Sequence, residues 1–204
     1  MSIYLVRHGE TALNVSRTLQ PADTPLSERG LAQARAVAQR LATERIVAVV
    51  SSDLPRAACT AEAIASACGL PILWEPLLQE RNFGDLRGRA YDTLGFDPLQ
   101  LIDAPPGGES EAEFRRRVAQ AFARVVALRE GLGGNLAVVT HGLVIAALLS
   151  SHVQLPPGTA LPGRLGNTSL TVIDSTSPHA VGLLDCMRHL EGSVREDPNS
   201  LSGG

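Results

Sequence analysis

The chain has 204 residues, room for one domain and its core; 44% are hydrophobic but only 3% aromatic, so that core must be built from Ala, Val, Leu and Ile. A net charge of −3 excludes a broad basic field for nucleic acid, so any bound anion must meet a local cluster of positive groups. Three scattered cysteines, Cys59, Cys68 and Cys186, show no CxxC spacing and argue against a disulfide framework and a zinc site.

Residues 3–6 (IYLV) read as a strand buried on both faces, stopping at Arg7-His8. That basic pair argues against a signal peptide, and no run of roughly 20 apolar residues follows to span a membrane, so the expected setting is the cytoplasm. In SERGLAQARAVAQRLAT, Ser27 is placed to cap a helix whose inner stripe is Leu31, Ala34, Ala38 and Leu41. A second strand, 46–50 (IVAVV), runs out at Ser51-Ser52. The next helix takes Asp53 as its candidate cap, Pro55 in its first turn, a stripe of Ala57, Ala61, Ile64, Ala65 and Cys68, and Gly69 as its end.

Residues 84–108 are rich in proline and glycine with weak periodicity, and are expected to form an irregular lid or substrate loop. A third helix is predicted at 109–129, with Phe114, Val118, Phe122 and Val125 facing inward. A third strand, 136–140 (LAVVT), stops at His141-Gly142, a short apolar helix follows at 143–152, and further strands are expected at 169–173 and 180–184. The tail at 191–204 is expected to be flexible.

Strands alternating with helices of these lengths predict an α/β fold: three layers, a central mostly parallel sheet with helices on both faces, forming one domain over residues 1–190. In such sheets ligands bind beyond the carboxyl ends of the strands. Arg7-His8 and His141 both stand at such ends. Arg56 falls in the first turn of the helix after Ser51-Ser52, where a cation opposes the helix dipole unless an anion shares the place. Arg7, His8, Arg56 and His141 therefore predict a pocket for a dianion such as a phosphoryl group.

RHGETALN at 7–14, SSDLPRA at 51–57, LLQERNFGDLRG at 77–88 and VVTHG at 138–142 resemble the histidine phosphatase superfamily, in order from residue 3 to about 173. That superfamily holds the cofactor-dependent phosphoglycerate mutases and many phosphatases. The resemblance implies a phosphoglycerate mutase-like fold, with His8 as the nucleophile that becomes phosphohistidine. It also implies that Arg7, Arg56, His141, Asn14 and Gly142 bind the phosphoryl oxygens, and that Glu80 is the acid that protonates the leaving oxygen. Pattern logic alone reaches the anion pocket, not Glu80.

The chemistry agrees with these roles. Arginine charges disfavour imidazolium and keep a ring nitrogen of His8 available. The same charges stabilise a metaphosphate-like transition state, so neither a metal nor another cofactor is expected. Burial should raise the pKa of Glu80 while the arginines lower it, and the sequence leaves that contest open.

The proline-rich stretch ahead of Arg115, Arg116 and Arg117 resembles the short, phosphatase-type members. The three arginines are expected on a solvated helix face, since consecutive residues fan around a helix. Glu109 and Ser110 are candidates for the pocket mouth, and Phe83, Leu86, Tyr91 and Phe96 for an apolar wall at the rim. Leu19 and Gln20 stand where many phosphatase members have a glutamine-glycine pair, so no named substrate carries over. The expected partner is a small-molecule phosphomonoester, with no nucleic acid and no membrane. The oligomeric state is open, a homodimer included. The alternatives are a cofactor-dependent phosphoglycerate mutase, a phosphohistidine protein phosphatase and a non-catalytic binder.

Overall fold

Short runs of Val, Ile, Leu and Ala between polar helix caps set the architecture. In the computed structural model, which describes residues 1–191 and 194, they form β1 (Ser2–Arg7), β2 (Ile46–Ser51), β3 (Ile72–Trp74), β4 (Asn135–Thr140), β5 (Leu170–Asp174) and β6 (Val181–Cys186). The helices are α1 (Ala12–Val15), α2 (Glu28–Leu41), α3 (Pro55–Cys68), α4 (Glu111–Glu130) and α5 (Gly142–Ser151). Apart from Glu191 and Val194, the expected flexible tail lies outside the described residues.

The six strands make one mixed sheet in the order β3-β2-β4-β1-β5-β6. The pairs β3/β2, β2/β4 and β4/β1 are parallel, whereas β5 runs antiparallel to both β1 and β6. Alternate residues of each central strand feed two cores. Ile3, Leu5, Leu136 and Val138 pack against Phe114, Val118 and Phe122 of α4 and Ile145 and Leu148 of α5. Val6, Val49, Ala137 and Val139 pack on the other face against Val37 and Leu41 of α2 and Ala57, Ala61 and Ile64 of α3. Strands covered on both faces carry continuous apolar runs, and this is why periodicity alone located them.

Several local expectations are corrected. Leu31 points outward at 38% exposure, and α2 instead buries Gly30, Gln33, Ala34, Val37, Ala38 and Leu41. Gln33 is drawn inside because its Oε1 accepts the Glu10 N–H at 2.8 Å. Asp53 caps nothing: Leu54 occupies the cap of α3, and the Asp53 carboxylate accepts from the Gln79 amide at 2.6 Å. Cys68, expected in the inner stripe of α3, is only half-buried. Strand β3, a short edge strand, was not expected from the sequence. Ser27 caps α2 by accepting the Gly30 N–H, and Gly69 closes α3 at φ 67° as its position predicts. Among the described residues no helix is long and apolar enough to cross a membrane.

Candidate active site

Because β1 and β4 are parallel neighbours with Arg7 opposite Thr140, the residues that follow, His8 and His141, leave the sheet side by side. Their ring centroids lie 5.2 Å apart. On the other flank of β4, β2 ends at Ser51 opposite Val139 and delivers Ser52 and then Arg56, near the start of α3. Three adjacent strand ends thus bring Arg7, His8, Arg56 and His141 together, and all four are at most 1% exposed.

The imidazole of His8 has a defined tautomer. Nδ1 lies 2.7 Å from the Gly9 carbonyl oxygen, which can only accept, so Nδ1 carries the hydrogen and Nε2 keeps its lone pair. Burial first, then the charges of Arg56 and Arg7, hold its pKa well below the usual 6.5. The burial effect outranks the arginine charges that the sequence reading emphasised. His141 is lowered likewise, by burial and then by Arg56, and its Nε2 meets the Ser52 hydroxyl at 2.8 Å. Its Nδ1 is buried with no hydrogen-bond partner.

Arg7 donates to the Leu165 carbonyl at 2.5 Å and Arg56 to the Pro21 carbonyl at 3.4 Å. Burial above all lowers the Arg56 pKa to about 10, which still leaves it charged at neutral pH. The turn that carries His8 is held by backbone contact too close for a side chain. A Cβ on Gly30 would stand 2.0 Å from the Glu10 carbonyl oxygen, and one on Gly9 2.5 Å from that of Gly30. Glu10 itself is buried and ion-paired to Arg29 at 3.0 Å.

Glu80 reaches the same place from the segment after the one-turn helix Pro76–Leu78, which Thr140 pins by donating to the Leu78 carbonyl at 2.7 Å. Its carboxyl oxygens accept the Arg81 N–H and the Leu143 N–H, each at 3.1 Å, the latter from the first turn of α5. Desolvation raises its pKa above the usual 4.5 against both hydrogen bonds and the charges of Arg56 and Arg7. Burial thus wins the contest that the sequence left open. Asn14 is buried in α1, its Oδ1 accepting from Thr11 N and from Asn167 Nδ2. Gly142, the first residue of α5, is buried directly after His141.

Three contributors were not anticipated. Ser52 holds His141, and Asn167 donates to the His8 carbonyl at 3.1 Å. The third is Arg117. Arg115 is solvated as expected, but the Arg117 side chain is only 19% exposed. It donates to the carbonyls of Leu77 at 2.9 Å, Gln79 at 2.7 Å and Glu80 at 3.3 Å, and pairs with Glu109. Its position three residues after Phe114, beside Val118, was the available signal: it borders the buried stripe of α4. Glu109 in turn accepts the Asn82 N–H at 2.9 Å, so the pair clamps the segment that carries Glu80.

Ser110 is used in the capping box of α4, its side chain accepting the Glu113 N–H. Phe83 is core, under the Arg81 guanidinium, rather than rim. Arg117→Met is expected to slow hydrolysis of alkyl phosphates about 10- to 100-fold, because small misplacements of a catalytic group are costly. Aryl phosphates should suffer less. Steady-state kinetics on both classes checks this, and equal losses would reduce Arg117 to a structural role.

A sheet edge that gathers two imidazoles of depressed pKa and two buried guanidinia beside one carboxyl of raised pKa defines an α/β enzyme built to handle an anion. The chain belongs to the histidine phosphatase superfamily, whose branch 1 profile matches residues 3–182. The "Probable phosphoglycerate mutase GpmB" of Yersinia pestis (strain Pestoides F) is 38% identical over 184 residues, covering 85% of each chain. Among solved structures, a mycobacterial glucosyl-3-phosphoglycerate phosphatase is 31% identical, with a TM-score of 0.72 over 85% of this chain and 90% of its own. YhfR from Bacillus stearothermophilus is 29% identical, with a TM-score of 0.77 over 93% of this chain and 99% of its own.

Proposed function

We propose that this protein is a metal-independent phosphomonoesterase, acting in the cytoplasm on a small phosphorylated metabolite through a phosphohistidine on His8. The observation that carries the reading is the His8 tautomer: Nδ1–H is committed to the Gly9 carbonyl, leaving an unprotonated Nε2 among Arg7, Arg56 and His141. In the first step Nε2 attacks phosphorus and the bond to the ester oxygen breaks. Arg7, Arg56, His141, Asn14 and Gly142 hold the equatorial oxygens, and Glu80 gives its proton to the departing oxygen. In the second step Glu80, now a carboxylate, takes a proton from water as that water attacks phosphorus and the N–P bond breaks. The raised pKa of Glu80 supports the acid role. The guanidinia supply the fixed positive charge that a metal would otherwise bring. Three free cysteines suit a reducing compartment.

The similarity to GpmB favours one second reading, a mutase that returns the phosphoryl group to an intermediate rather than to water. Purified protein in EDTA, assayed for phosphate release from p-nitrophenyl phosphate and for conversion of 3-phosphoglycerate with its bisphosphate cofactor, separates the two. Phosphate release without mutase turnover is expected. Fast mutase turnover with little release would replace the first reading by the second, and activity lost in EDTA would overturn the metal-independent mechanism.

A further inference from the structure

The stretch 84–108 is irregular as expected, with no helix longer than a single 3-10 turn, but it is pinned. Gly88 N–H donates to the Leu19 carbonyl at 2.7 Å, Leu19 N–H to the Arg89 carbonyl at 3.0 Å, and Tyr91 N–H to the Arg17 carbonyl at 2.9 Å. Its start is locked too, since Gly84 has φ 51° and a Cβ there would lie 2.0 Å from the Pro106 carbonyl oxygen. Two residues beyond Leu19 is Pro21, whose carbonyl accepts from Arg56. This ladder therefore fixes the backbone of Arg87, the residue before Gly88, against the segment whose Pro21 carbonyl meets Arg56. The charge of Arg87 is correspondingly among those that depress Arg56, and Tyr91 on the same ladder feels both Glu80 and Arg7.

Arg87 is half-buried, and its Nε is buried with no hydrogen-bond partner. The carboxylate that acts on it, Glu109, is already held by Arg117, with Nε 3.2 Å from Oε2. A partly desolvated guanidinium with no bonded carboxylate, placed near another cation, gains a strong charge-assisted partner when an anion comes to it. The transferring phosphoryl group already has Arg7 and Arg56.

We propose that Arg87 forms a second anion-binding point at the rim, and that the substrate carries a negative group, a carboxylate or second phosphate, on its leaving portion. This rests on the phosphomonoesterase reading above. It is tested with two substrate pairs: 3-phosphoglycerate against glycerol 3-phosphate, and fructose 1,6-bisphosphate against fructose 6-phosphate. The wild-type enzyme is expected to favour the doubly anionic member of at least one pair by about tenfold or more in kcat/KM, as one hydrogen bond to a charged group allows. The pair that discriminates identifies the group. Arg87→Gln should collapse that ratio toward one, and Arg87→Lys should restore part of it, since the charge survives without the planar fork. No preference in either wild-type pair would overturn the proposal. So would an Arg87→Gln loss equal for both members of a pair, which would assign Arg87 to the transferring phosphoryl group. Failure of the underlying reading has a different signature, the absence of phosphate release from every ester.

Discussion

His8→Ala is expected to lower turnover at least about 10⁴-fold on every phosphomonoester while leaving the fold intact, since removal of a covalent nucleophile abolishes the route itself. The backbone of residue 8 is held independently of its ring: its N–H donates to the Thr140 carbonyl at 2.9 Å, and its carbonyl accepts from Thr168 N at 3.3 Å and Asn167 at 3.1 Å. The strand end should therefore survive truncation, with near-UV circular dichroism and the thermal midpoint reporting it. Arg7, Arg56 and His141 also remain, so inorganic phosphate should still bind to the variant within a few-fold of wild type by calorimetry. Binding without turnover distinguishes a lost nucleophile from a collapsed pocket. Rapid quenching of wild type with labelled ester should trap label that is acid-labile and base-stable, as a phosphoramidate is, and His8→Ala should trap none. More than a few per cent of residual activity would remove His8 from the nucleophile role.

The sequence carried the site further than it carried the rim. Arg7, His8 and His141 were legible because each sits where an apolar run stops, Arg56 because it opens a helix that follows such a stop, and parallel neighbours put successive strand ends at one edge. Nothing in an apolar run tells which strands are neighbours. The convergence of His8 and His141 became a fact only with β1 and β4 paired. Glu80 belongs to no periodic element; it is placed by the Thr140 hydroxyl and the Leu143 N–H, both distant in sequence, and only the family resemblance singled it out.

The misses share a cause. Gln33 is buried because a backbone N–H needs it, so a polar residue occupied a core position and Leu31 was mistaken for the stripe. Arg117 has a charged head but faces three carbonyls on one segment, and composition counts only the charge. β3 has three residues, two of them exposed, too few for an alternation to register.

Replacing Glu80 with Gln should separate leaving groups. For alkyl phosphates, whose leaving alkoxide is strongly basic, the loss of a general acid is expected to cost about 10²- to 10³-fold in kcat/KM. A nitrophenolate departs without a proton, so p-nitrophenyl phosphate should lose about tenfold or less. Part of any common loss has a structural source: both Glu80 oxygens accept backbone N–H groups, and the amide nitrogen of Gln would face one of those donors.

The pH dependence removes that ambiguity. His8 and His141 have pKa values depressed well below 6.5, so they are neutral from neutral pH down into the acid range, and the acid limb of activity must lie below 6.5. Glu80 is shifted the other way, above 4.5, so it keeps its proton to higher pH than an exposed carboxyl, while the histidines lose theirs at lower pH than exposed imidazoles. Activity on alkyl esters should therefore be highest at mildly acidic pH and fall as pH rises through the Glu80 value. Aryl esters should keep their rate through the same interval. In Glu80→Gln that alkaline fall on alkyl esters should vanish, because the group that titrates is gone, and a merely distorted pocket would leave it in place. A falling alkaline limb that persists in the variant would assign the proton to another residue.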